Sequence, residues 1–225
     1  ISNYSVKGEI PSKIVQAGKI AHELLKQGEK VIIWCTFKDN LRVFEEEIFA
    51  GENPIIISGN VPKDPPAGYA GTTSPRDDLI NEFKNVKGPR VLIATPSTLA
   101  ESVSLHKNLA GERGCSHAIY LDRNYNGAQF MQSMDRIHRI GMITGDGIPD
   151  VTYHVIIAKN TIDEKIRDRL DHKIKQMHRI LDSPDLTEFD YDENVVDSTG
   201  DEFEEDYNSL VTHLKELHKE KEIED

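Results

Sequence analysis

The 225 residues carry 39 Asp and Glu against 27 Lys and Arg, a formal charge of -12, yet residues 182–225 alone hold 17 acids and 3 bases and leave residues 1–181 at +2. The acidity belongs to a tail, which excludes a uniformly acidic protein and leaves the body free to carry local basic patches. Two cysteines without CxxC or Cys/His spacing, and no apolar run near the roughly 20 residues that cross a bilayer, argue against a disulfide scaffold, a structural zinc and a membrane span, and for a soluble chain in a reducing, intracellular compartment.

From Pro11 to Gln27, the residues Ile14, Val15, Ala17, Ala21, Leu24 and Leu25 recur at helical spacing, and Gly28 stands where a helix ends. "KVIIWC" (30–35) reads as a buried strand, "KDNLRVFEEEIF" (38–49) as a helix through Leu41, Phe44 and Ile48, and "PIIIS" (54–58) as a second strand. Residues 59–74, "GNVPKDPPAGYAGTTS", contain three prolines and three glycines and predict an exposed loop. Ser74 is then an N-cap, with Pro75 at the first helical position and acids in the first turn. "RVLIAT" (90–95), "HAIYLD" (117–122) and "VTYHVIIA" (151–158) complete five strands.

Thr161 and Glu164 form a capping-box pattern that opens a long helix striped with Ile162, Ile166, Leu170, Ile174 and Met177. Its outer face is basic, through Lys165, Arg167, Arg169, Lys173, Lys175 and Arg179, which suits either a nucleic-acid surface or plain solvation. Residues 182–225 read as an acidic linker followed by a short amphipathic helix through Leu210, Leu214 and Leu217. The expected division is therefore residues 1–181 and residues 182–225.

Strands alternating with helices predict an α/β fold, a parallel sheet of five to six strands covered on both faces, because each crossover must pass over one face. Ligands in such sheets bind beyond the carboxyl ends of the strands. Those ends read "CTF", "SGN", "TPS" and "DRNYN", small polar groups suited to phosphate or sugar contacts and equally to turn chemistry. There is no Gly-rich loop with Lys and no accompanying magnesium carboxylate, so a complete phosphate-loop nucleotide site is excluded. No histidine has a partner at ligand spacing, and no metal site is expected.

What remains is "QSMDRIHRIG" (132–141), where Gln132, Arg136 and Arg139 fall at intervals of four and three and would share one face of a helix that buries Phe130, Met134 and Ile137. Guanidinium groups one turn apart suit the phosphates of a nucleotide bound by another surface.

This stretch resembles motif VI of the Swi/Snf-type ATPases, the double-stranded DNA translocases of the second helicase superfamily. "KVIIWCTFKDNLRVFEEEI" is similar to the family's motif IV strand and helix, "RVLIATPSTLAESVSL" to motif V, and "AIYLDRNYN" to the strand leading into motif VI. "IIISGN" with "SPRDDLINEFK" resembles the intervening strand and helix, and "VTYHVIIAKNTIDEKIRDRLDHK" the closing strand and helix. The family's glycine-rich stretch in motif V is "STLAES" in this chain, and Met142 stands where motif VI usually continues with Gln.

The resemblance covers about residues 11–181 and implies a RecA-like second lobe, whose phosphate loop and magnesium ligands belong to an amino-terminal lobe expected upstream of Ile1. It implies an ATP site with Mg²⁺ shared between lobes, in which Arg136 and Arg139 are catalytic and Gln132, Asp135, Glu101 and Ser102 bind or couple to nucleotide. It also implies a double-stranded DNA track at Thr36, Ser58, Gly59, Thr95, Ser97 and Asn126, with a protein partner possible for the acidic tail. Compact motif spacing favours a prokaryotic or viral member, acting in cytoplasm or nucleoid. The competing reading is a helicase-like DNA- or protein-binding module without ATPase activity, for which the two arginines have no evident use.

Overall fold

The computed structural model describes residues 8–99, 103–108, 110–111, 114–138 and 151–181, with side chains as far as 175 in the last helix. Helix α1 (Ser12–Lys26) buries Ile14, Ala17, Ala21 and Leu24. It ends as its sequence predicts: Gly28 adopts φ +85°, its N–H donates to Leu25 O at 3.0 Å and the Glu29 N–H to Leu24 O at 3.0 Å. This paired closure needs a left-handed residue, which glycine supplies without a Cβ clash.

Strand β1 (Lys30–Trp34) leads into α2 (Lys38–Val43), which widens into a single π turn at Phe44–Ile48. A continuous α-helix over 38–49 was the sequence expectation. The wider turn, closed by Phe49 N–H to Phe44 O at 2.8 Å, brings Phe44 and Phe49 to the same side, both fully buried, with ring centroids 6.0 Å apart. It also seats Ile48 against α1, where a Cβ on Gly18 would lie 2.6 Å from the Ile48 Cγ2.

Strand β2 (Ile55–Ile57), the exposed loop 59–74 and α3 (Pro75–Asn85) follow. Ser74 caps α3, accepting from the Asp77 N–H at 3.1 Å, and Pro75 takes the first helical position, as expected. After it come β3 (Arg90–Ala94), β4 (His117–Tyr120), α4 (Gly127–Met134), β5 (Thr152–Val155) and α5 (Ile162–Leu181). The five strands pair in parallel in the order β2-β3-β1-β4-β5, with Ile33 opposite both Ile93 and Ile119.

Alternating side chains give two cores. Val31, Ile33, Ile93 and Ile119 pack under α1 and the π turn, while Ile32, Trp34, Leu92 and Tyr120 pack with Ile80 and Phe83 of α3 and with Phe130 and Met134 of α4. Helices thus cover both faces, the arrangement a parallel sheet requires. Both cysteines are buried thiols whose pKa values burial pushes up, that of Cys115 to about 12.

Residues divide into two compact units, Ile1–Ile157 with the sheet and Ala158–Asp225 with α5. At the start of α5 the Thr161 Oγ1 accepts from the Asp163 N–H at 3.2 Å, while the Glu164 carboxylate accepts from the Asn160 N–H at 3.2 Å. The expected box is therefore made one residue out of step. Among the described residues no helix is long and apolar enough to cross a membrane. The acidic tail, residues 182–225, lies outside the described residues.

Candidate functional site

The sheet's hydrogen bonding continues one residue beyond the strands. Thr95 N–H donates to Ile57 O at 3.2 Å, Cys35 N–H to Ala94 O at 2.9 Å, Leu121 N–H to Trp34 O at 3.1 Å and Ile156 N–H to Tyr120 O at 3.0 Å. The connections therefore leave the carboxyl edge at one level. Two of them are tight turns side by side: Val61 N–H closes on Ser58 O at 2.9 Å, and Thr98 N–H closes on Thr95 O at 3.0 Å.

Within these turns the hydroxyls of Ser58 and Thr95 are turned inward. Ser58 is buried and its Oγ accepts from the Asn60 N–H at 3.3 Å; Thr95 is buried and hydrogen-bonds the Thr98 hydroxyl. Gly59, Asn60 and Ser97 are exposed. Lys38, also exposed, donates to the Asn60 Oδ1 at 3.0 Å and brings a cation to this turn. Arg76 from α3 reaches both turns, its Nη2 donating to Val61 O at 2.9 Å and its Nη1 to Thr98 O at 3.1 Å.

The middle of the edge is fastened by Asp122. Its carboxylate accepts from the Thr36 N–H and from the Asn40 Nδ2 at 2.9 Å, tying the end of β4 to the connection between β1 and α2. Burial raises the Asp122 pKa, and the bonds from Thr36 and Asn40 only partly offset it. Thr36, Pro96, Asp122 and Arg123 line a hollow of about 10 Å³ there, together with Phe130 and Ser133 of α4. Asn126 is the N-cap of α4, its Oδ1 accepting from the Gln129 N–H at 2.9 Å. The Asn126 side-chain oxygen thus serves the helix.

The arginine stretch lies elsewhere. Helix α4 ends at Met134, so among the described residues Gln132 lies in the helix and Arg136 in the turn that follows it, where the spacing predicts one continuous helical face. Ile137 and His138 N–H groups both close on Met134 O at 3.2 Å, and the Arg136 carbonyl turns to the Leu105 N–H at 2.7 Å. Leu105 O in turn accepts from the Cys115 N–H at 2.9 Å, two residues before β4 begins, so Arg136 stands toward the amino end of that strand.

Ile137 is buried as expected, but from a turn. The Arg136 Nη1 lies 3.4 Å from Val103 O. The corner is braced from the sheet: the Tyr153 hydroxyl donates to Met134 O at 3.1 Å, and Tyr120 and Ser133 hydroxyls pair at 2.9 Å. Gln132 and Asp135 are exposed. Arg139, Glu101 and Ser102 lie outside the described residues.

The candidate residues thus form two groups. Thr36, Ser58, Gly59, Thr95 and Ser97 share the carboxyl edge, with Asn126 leading into α4; Gln132, Asp135 and Arg136 gather at the far end of α4. Sequence reasoning assigned no role to Arg76, Lys38 or Asp122. Asp122 was findable, since it directly follows a strand in "DRNYN"; Arg76 was not, because it reads as an ordinary first-turn helix residue.

A family model described as "Helicase conserved C-terminal domain" matches residues 16–141, more than half of the chain. Among curated proteins, the "Chromatin-remodeling ATPase INO80" of Candida glabrata is 24% identical over 171 residues, covering 76% of this chain and 10% of that protein. The "Protein CHROMATIN REMODELING 8" of Arabidopsis thaliana is 27% identical over 176 residues, covering 76% and 13%. The chain therefore spans about a tenth of the length of these relatives. Among solved structures, the C-terminal part of the Fun30 ATPase domain superposes with a TM-score of 0.54 at 20% identity, over 75% of this chain and 49% of that one. The sheet is thus RecA-like in fold.

Proposed function

The chain belongs to the helicase conserved C-terminal domain family, with the character of its Swi/Snf-type members, and on that premise we propose that it is the second motor lobe of an ATP-dependent double-stranded DNA translocase. The observation that carries the reading is the attachment of Arg136 to the segment leaving the Thr95 turn. Backbone and guanidinium both bond to residues 103–105, so the phosphate-directed corner and the DNA-directed edge are joined by one stretch of chain.

In this reading the carboxyl edge is the DNA track. Gly59, Asn60 and Ser97 offer small neutral groups to phosphates, Lys38 supplies charge, and the inward hydroxyls of Ser58 and Thr95, with the Thr36 backbone held by Asp122, shape the surface. The opposite corner faces the phosphates of ATP, which when bound supplies the phosphoryl group transferred to water. A guanidinium and the exposed carboxamide of Gln132 fit phosphate oxygens. Mg²⁺, in this reading, belongs with ligands on an amino-terminal lobe of the same polypeptide.

Arg136 and Arg139 direct positive charge at the site of developing negative charge. Asp135, beside Arg136, orients the nucleotide, and Glu101 and Ser102 couple the two regions. Domain limits of 1–181 for the lobe and 182–225 for an acidic appendage, open to a protein partner, complete the proposal.

The test is turnover by the 225-residue chain itself. With ATP, Mg²⁺ and duplex DNA it should show no hydrolysis above blank, because the phosphate-cradling lobe is not in it; DNA-stimulated hydrolysis by this chain would sink the half-site reading. In the protein that carries both lobes, Arg139→Ala should lower DNA-stimulated kcat by roughly 10³-fold while nucleotide binding changes little.

A further inference from the structure

We propose that Arg76, a residue outside the nucleotide and DNA sets above, is a positioning residue that fixes the spacing of the two DNA-facing turns; the inference rests on the DNA-track reading. The two turns are geometric equivalents. Each starts one residue after its strand, at Ser58 after Ile57 and at Thr95 after Ala94, and those strand-ending residues are register partners. Each is closed by a bond from its fourth residue to its first, Val61 to Ser58 and Thr98 to Thr95. The two carbonyls that Arg76 holds are those of the same fourth residues, Val61 and Thr98. One planar group therefore bridges matching positions on adjacent turns.

The chemistry of the fork matters. A guanidinium holds its two terminal nitrogens at a fixed separation in one plane, so the two carbonyls it engages are held at a set distance and angle; a lysine ammonium is a point donor on a flexible stem and enforces neither. Arg76 is itself held in place, since it sits in the first turn of α3 between the Ser74 cap and Pro75 on one side and Asp78 on the other. Asp78 accepts from Tyr69 at 2.7 Å, from the Thr72 hydroxyl at 2.6 Å and from the Thr73 hydroxyl at 3.0 Å. Both ends of the 59–74 loop are thus anchored to one helical turn, and the exposed Gly59, Asn60 and Ser97 inherit their relative positions from it. With both Nη groups directed at main-chain carbonyls, Arg76 acts behind the DNA surface rather than on it.

The experiment compares the wild-type chain with Arg76→Lys and Arg76→Gln for binding to a short blunt DNA duplex across a salt series, alongside thermal midpoints and amide hydrogen exchange. Both variants should bind about tenfold more weakly, the equivalent of losing one or two net hydrogen bonds. The slope of log K against log salt should stay unchanged, because no phosphate charge is neutralised by Arg76. The turn-closing amides of Val61 and Thr98 should exchange faster together, while those of β1 and β4 keep their protection.

A slope reduced by about one in Arg76→Gln, with binding restored in Arg76→Lys, would make Arg76 a direct phosphate contact and overturn the positioning role. Wild-type affinity in both variants would overturn it as well. Should Arg76→Gln fail to fold, the Lys variant decides by the same affinity and exchange measurements. Failure of the wild-type chain to bind duplex at all would instead strike the DNA-track reading, and the inference with it, so the two failures are separable.

Discussion

The carboxyl edge and the α4 corner are built on the same sheet from different kinds of side chain. At the edge the outward groups are small and mostly neutral, while the charges of Arg76 and Asp122 are placed behind and bonded to main chain or amide. At the corner the hydroxyls of Tyr120, Ser133 and Tyr153 brace the end of α4, and the half-buried Arg136 likewise directs a guanidinium nitrogen at a main-chain carbonyl, that of Val103. In the proposed reading the edge meets phosphates through exposed cations such as Lys38 set among small groups, whereas charge that develops during reaction calls for a cation fixed in place. The difference teaches where each kind of substitution should register.

The largest effect is expected at the corner. In the protein carrying both lobes, Arg136→Ala should lower DNA-stimulated kcat by about 10²-fold or more, with DNA affinity within a few-fold of wild type. A loss of DNA affinity as large as the loss of kcat would erase the division between the two regions.

At the edge, Asp122→Ala should cost about 2 kcal/mol by denaturant unfolding, because it removes the carboxylate that accepts from the Thr36 N–H and the Asn40 amide. Asp122 also sharpens the contrast through pH. Its carboxyl is raised by burial, so the folded state holds this proton more tightly than the unfolded chain. Stability contributed by the protonated form is therefore lost as pH rises from the ordinary carboxylate range through the raised value. Asp122→Asn should lack that component, and an identical pH profile in the two proteins would remove the burial effect.

The smallest effect belongs to the anchored loop. Thr72, Tyr69 and Thr73 hold the Asp78 carboxylate down to a pKa of about 2, and a depressed carboxyl stabilises above its unfolded pKa and loses that contribution as pH falls. Between about pH 4 and 2 the Thr72 amide should lose protection from exchange before β1 does. Simultaneous loss in both would mean the loop is not separately fastened.

Much of the fold was legible because local chemistry and tertiary context agree. Ser74-Pro75 and Gly28 announce a helix start and stop through backbone requirements that any context would impose, and the apolar runs of β1 to β4 sit in the buried part of the sheet, with β5 more exposed at its edge. The π turn was not legible, since the close approach of Ile48 to Gly18 that accompanies it involves a different helix, remote in sequence. The end of α4 was not legible either. The spacing of Gln132, Arg136 and Arg139 obeys helical arithmetic, but the Leu105 N–H and the Tyr153 hydroxyl, remote in sequence, take up carbonyls at the helix end. The rule that ligands gather beyond strand carboxyl ends located the turns, passed over Asp122 within the stretch it pointed to, and had no purchase on an arginine that stands toward the opposite end of β4.

The two cysteines have a practical bearing on all of this. Both are sealed in the interior as protonated thiols, which makes them poor nucleophiles toward alkylating probes. The native chain is in that respect already a background for site-selective labelling: a cysteine introduced at exposed Ser97 would be the one thiol a maleimide dye meets. Motion of the turn beside it could then be followed by fluorescence without first removing Cys35 or Cys115.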